Sequence, residues 1–174
     1  MKGLRILALS MLLASGGCAT SRAPDGLAMP ADDEPRAASL LAGYLLAQGW
    51  TVRLADETLV EAQRNGEHLR LEPLLDPAGL DRIMLYRTWP RAVGVDDETL
   101  GAFARELNDA LNVGQFRVAP AGLVFQASLP FLEQLEPRVF NAFLAHTADV
   151  RLAVVHVQGE RTLLAPLEDP PASR

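Results

Sequence analysis

Asn65-Gly66 is the dipeptide that most restricts this chain, because both residues tolerate the positive φ of a type I′ turn and almost no other pair does so as readily. Alternating runs flank it. Thr58 to Arg64 leads in, and His68-Leu69-Arg70-Leu71-Glu72 leads out with its apolar and polar residues on opposite faces. A two-residue hairpin at this point commits the region to an antiparallel sheet with one wet and one dry face. Trp50 to Leu54 precedes the hairpin as a further strand, and Ile83 to Thr88 extends the sheet after it.

Helices bracket these strands. Leu40, Leu41, Tyr44 and Leu45 recur at three- and four-residue steps in Ala37 to Gln48, and Gly49 stops that helix. Asp96 and Asp97 offer caps to a second helix, whose inner face is Leu100, Phe103, Ala104, Leu107 and Leu111. Strands at Gln115 to Ala119 and Leu123 to Ser128 follow, joined by a tight turn at Pro120-Ala121-Gly122. Pro137 opens a third helix with Val139, Phe140, Phe143 and Leu144 on one face. Val150 to Leu167 reads either as helix continuation or as a β-hairpin turning at Gln158-Gly159-Glu160, and periodicity leaves both open. The fold class is α+β, an antiparallel sheet with packed helices in the order α-β-β-β-(β)-α-β-β-α.

The ends are of a different character. Lys2 and Arg5 precede a short apolar run, Ile6 to Ala14, which Ser15-Gly16-Gly17 closes before the only cysteine, Cys18. About nine apolar residues fall far short of the roughly twenty that span a bilayer, so residues 1–17 read as a signal peptide. The arrangement resembles a bacterial lipoprotein signal, although Ser15 stands where that pattern usually has leucine. The resemblance implies lipid attachment at Cys18. With Ala19 and no aspartate after the cysteine, it implies retention at the periplasmic face of the outer membrane. Residues 18–35, with Pro24, Pro30, Pro35, Gly26 and the acidic triplet Asp32 to Glu34, are expected to be a flexible tether, and residues 159–174 a C-terminal tail.

Within 36–158 the helix ending Gln48-Gly49-Trp50 and the motifs Leu107-Asn108-Asp109-Ala110-Leu111-Asn112, Phe116-Arg117-Val118 and Gly122-Leu123-Val124-Phe125 are similar to the YbjN-like family of sensory-transduction regulators. That resemblance implies a type III secretion chaperone-like fold, helix after residue 149, and no catalytic residues.

Chemistry is sparse. The formal charge is −6, and without Lys2 and Arg5 there are 14 cations against 22 acids, so nucleic acid is not an expected partner. No phosphate-cradling glycine loop or His-Glu-x-x-His is present, His68, His146 and His156 are scattered, and neither Ser39 nor Ser128 sits in a nucleophile elbow. No cofactor or metal site is expected. Asp96 and Asp97 are expected to cap a helix, and Glu133 and Glu136 to be acids of a first helical turn. The remaining candidates are aromatic: Trp50, Trp89, Tyr86, Phe116 and Phe125 lie on or beside expected strands, most of them as core, Phe116 and Phe125 in particular, and Trp89, before Pro90 in an expected loop, is the candidate partner-binding residue. These readings converge on a non-enzymatic envelope lipoprotein that binds a peptide or protein, with a homodimer through a sheet face compatible with the same pattern. An envelope hydrolase using a carboxylate or His146 is the alternative.

Overall fold

The computed structural model describes residues 26–78 and 80–166. Cys18, the signal segment and residues 167–174 lie outside that range. The described chain is α+β: a six-stranded antiparallel sheet, a two-stranded sheet and helices packed on one side. No helix among the described residues is long and apolar enough to cross a membrane.

Helix α1 (Glu34–Ala47) starts where Asp33 accepts a hydrogen bond from the Arg36 N–H at 3.0 Å, with Pro35 in its first turn. It buries Ala37, Ala38, Leu41 and Leu45 against β2 (Thr51–Leu54), β3 (Val60–Arg64) and β4 (Glu67–Leu74). Between β2 and β3, the Asp56 carboxylate accepts the N–H groups of Thr58 and Leu59 at 2.9 and 2.8 Å, which holds its pKa below the ordinary value. Asn65 at φ 52° and Gly66 at φ 75° make the hairpin that pairs Arg64 with Glu67, as their sequence predicts.

The spine of the sheet is β5 (Asp81–Pro90) against β7 (Gly122–Phe131), paired over ten residues from Asp81↔Phe131 to Pro90↔Gly122. The chain leaves β5, crosses by α2 (Asp97–Ala110), forms the edge strand β6 (Gln115–Ala119) and turns back into β7, so the spatial order is β2-β3-β4-β5-β7-β6. Asp96 caps α2 through the Thr99 N–H at 2.7 Å. Near the C-terminal end of that helix, Asn108 performs a second task. Its Oδ1 accepts the Phe116 N–H at 2.7 Å and its Nδ2 donates to the Phe116 carbonyl at 2.9 Å, occupying backbone groups that an edge strand leaves unpaired.

The segment after residue 149 is helical. Helix α3 (Pro137–Ala148) bends at Asp149 into α4 (Val150–Gln158), and Val150 and Val154 enter the core while Gly159, at φ 58°, ends the run. The expected inner face of α3 holds for Phe140, Phe143 and Leu144, but Val139 points outward.

Three expectations require correction. The stretch assigned to the tether contributes β1 (Leu27–Ala28), which pairs with β8 (Gln134–Leu135) immediately before α3, and Glu34 and Pro35 already belong to α1. The assigned C-terminal tail clasps the end of β5: Leu164 bridges to Arg91, the Ala165 N–H donates to the Pro90 carbonyl at 2.8 Å, and Leu164 is buried. Glu133 is not in a helical turn but at φ 54° between β7 and β8, and Glu136 is the residue before α3 without a side-chain capping bond.

Gly122 is the glycine on which the β5–β7 register rests. It holds φ +129°, and a Cβ there would lie 2.2 Å from the Trp89 carbonyl oxygen and 2.7 Å from the Arg91 nitrogen. Gly122→Ala should therefore cost about 2 kcal/mol or more in urea unfolding. A loss below about 0.5 kcal/mol, typical of an unremarkable surface change, would show that the turn tolerates a side chain and does not hold the register.

Candidate functional site

Alternation divides the sheet into two faces of opposite character. Val60, Ala62, Leu69, Leu71, Ile83, Leu85, Trp89, Leu123, Phe125 and Ala127 face the helices in one continuous core. The other parity presents rows that cross the whole sheet. One runs Arg53, Glu61, Arg70, Tyr86, Gln126 and Gln115, strand by strand from β2 to β6. Beside it lie Thr51, Gln63 and His68 on one half and Thr88, Val124 and Arg117 on the other. On the opposite flank are Glu72, Met84 and Ser128, then Leu74, Arg82 and Pro130. The core-forming side chains of the helices all belong to the cluster on the first face, so among the described residues this second face is the uncovered one.

The uncovered face is not merely solvated. Over β2 to β5 it forms a concavity of about 320 Å³ lined by Arg53, Gln63, His68, Arg70, Tyr86 and Thr88 among others. Met84 and Val124 are only 7% exposed there although neither belongs to the main core, so long polar neighbours shield an apolar floor. Glu61 pairs with Arg53 and lies 3.6 Å from the Arg70 Nε. The Tyr86 hydroxyl donates to the Glu72 carboxylate at 3.0 Å, and burial, reinforced by that bond and that charge, raises the phenol's pKa. Four arginines, Arg53, Arg70, Arg82 and Arg117, share this face with two glutamates, Glu61 and Glu72, in a chain whose formal charge is −6.

The opposite parity carries one polar anomaly. Arg87 is paired with Phe125 on the core side and is 5% exposed. Among the described residues its ion-pair partner is Glu67, at 3.7 Å, and Nε and Nη2 make no hydrogen bond. Burial lowers its pKa and the Glu67 charge opposes that shift. The sequence signal for this residue is its parity, since Leu85, Arg87 and Trp89 occupy one face of β5.

The residues singled out from sequence are dispersed. Trp89 lies within β5, not in a loop; it is 6% exposed and stacks 6.1 Å from Phe116, so it is a core ring unavailable to a partner. Trp50, Phe116 and Phe125 are buried too, and Arg64 sits 4.3 Å over the Trp50 ring. His68 is on the uncovered face, whereas His146 and His156 are exposed on α3 and α4. No group of three His, Cys, Asp or Glu residues able to hold a metal occurs among the described residues. What sequence reasoning missed is the set of arginines on one face, because each of the strands that carry them shows a single member of the set and they share a surface only after pairing.

No protein-family model matches the chain, and no curated protein matches it in sequence.

Arg87 yields a test of the energetics. Replacing a buried ion by a well-packed apolar chain is often neutral or stabilising, whereas removing its partner strands the charge. Arg87→Met should leave stability unchanged or raise it by up to about 2 kcal/mol, while Glu67→Gln should lower it by about 1–3 kcal/mol. If Arg87→Met proves the more damaging of the two in denaturant unfolding, the guanidinium has a partner other than Glu67.

Proposed function

We propose that the protein is a non-enzymatic envelope lipoprotein, anchored through lipid on Cys18 at the periplasmic face of the outer membrane, whose YbjN-like, chaperone-like domain binds an acidic peptide or protein segment on the uncovered face of its sheet. The observation that carries the binding reading is the concentration of Arg53, Arg70, Arg82 and Arg117 on one face of the sheet in an acidic chain, with Arg53 and Arg70 lining its concavity. Such a face offers guanidinium forks to carboxylates and steers an acidic segment toward it, while the rest of the surface repels that segment. Met84 and Val124, nearly buried on the same face, add apolar surface among these polar side chains. Of the carboxylates, Asp96 caps α2 and Glu72 accepts from the Tyr86 hydroxyl, both structural tasks.

The anchor and the binding face are tested separately. Growth with radiolabelled palmitate should label the wild-type protein, and Cys18→Ala should abolish both labelling and membrane retention. A mutant that still takes up label would defeat the assignment of Cys18.

For the binding face, a photo-crosslinking residue at Thr88 should capture a partner in intact envelopes, and one at Glu98, on α2, should not. Arg70→Glu with Arg117→Glu should reduce capture at position 88 at least about tenfold, the loss of roughly 1.4 kcal/mol or more expected for two charge-assisted contacts. Capture that survives this double reversal in a normally folded protein would place the partner elsewhere.

A further inference from the structure

Apolar side chains left in water are informative when they cluster beside the point where the chain leaves the fold. Leu80, Leu132 and Val139 are 48, 67 and 45% exposed, and all three line one apolar cleft of about 400 Å³ at the end of the sheet where β5 begins and β7 ends. Gln134 and Leu135 of β8 line the same cleft, and these are the two residues that pair with Ala28 and Leu27 of β1. The chain therefore enters the folded domain against the wall of the cleft.

The length of the leash decides what this cleft faces. Nine residue steps separate Cys18 from Leu27, and a fully extended chain covers at most about 3.3–3.6 Å per residue, so the anchor lies within about 30 Å of β1. The far end of the sheet, beyond Pro90, is removed by the length of ten-residue β5, again about 33 Å. A bilayer holding the anchor is thus most accessible to the end of the domain that carries Leu80, Leu132 and Val139. Glu133 and Glu136 stand at that end together with Arg82, paired with Pro130 of the cleft, and Arg138, so the charges there are mixed and the contact is left to the aliphatic side chains.

We propose that this cleft is a membrane-docking surface: Leu80, Leu132 and Val139 enter the interfacial layer of the bilayer to which the chain is tethered, and so orient the domain on it. The proposal rests on the anchored reading given above. Three aliphatic side chains would bind a vesicle weakly from solution, but tethering makes their insertion an intramolecular event at high effective concentration. The docked domain holds its sheet roughly along the membrane normal, with the far end and Val93 distant from lipid.

The test keeps docking separate from lipidation in the cell. Residues 18–174 are coupled through the Cys18 thiol to a maleimide phospholipid in phosphatidylcholine vesicles, with Leu132→Trp as reporter and Val93→Trp as the distal control. Trp50 and Trp89 are buried and give a constant background. Brominated acyl chains should quench the added emission at position 132 at least about twofold and leave that at position 93 unchanged. Adding Leu80→Asp and Val139→Asp should remove the quenching at position 132 without altering the circular dichroism spectrum. Equal quenching at both positions, or none at position 132, would overturn the proposal. Shielding of the introduced indole from aqueous iodide without quenching by the brominated chains would overturn it too, and would assign the cleft to residues 19–25 or to a second copy. Failure of the palmitate experiment with success here would remove the cellular anchor and leave the docking surface standing.

Discussion

The ten-residue pairing of β5 with β7 is the constraint on which the remainder of the molecule depends. It ties the parity of the two central strands together, and a slip of one residue would turn the inward residues of the slipped strand outward, Ile83 and Leu85 in exchange for Met84 and Tyr86 on β5, or Phe125 and Ala127 in exchange for Gln126 on β7. Everything peripheral is registered to this pair. Strand β4 joins it through Leu71↔Leu85, β6 through Phe116↔Phe125, and the C-terminal segment through Arg91↔Leu164. Both the packed helical side and the arginine-bearing side are consequences of one register.

Much of this was legible in the chain. The Asn65-Gly66 turn, the strand alternations, the Asp96 cap and the glycine turn before β7 are local signals whose causes lie within a few residues, and each element occurs where its signal stands. What was not legible depends on pairing between distant segments. Strands β1 and β8 have two residues each, too few to show a period, and exist because Leu27 meets Leu135 across more than a hundred residues. Trp89 reads as a loop residue because it precedes proline, yet Pro90 is tolerated as the last residue of β5, where a missing N–H costs least.

The candidate face illustrates the same limit. The sequence shows Arg53, Arg70, Arg82 and Arg117 as isolated polar positions on separate strands, each with an ordinary solvated explanation. Antiparallel pairing alone brings them to one surface and leaves Glu61 and Glu72 as the acids among them. Charge on a sheet face is a property of the register, and a single chain read along its length does not display it.

Asn108 has a bearing on assembly. By satisfying both backbone groups of Phe116 it blunts the middle of the β6 edge, so hydrogen-bonded extension of the six-stranded sheet is disfavoured there relative to β2 at the opposite side. Two molecules joined β2 to β2 form a closed, two-fold pair, and that is the pairing this asymmetry of the borders favours. One asparagine on a helix thereby withholds part of the β6 border from pairing with another strand.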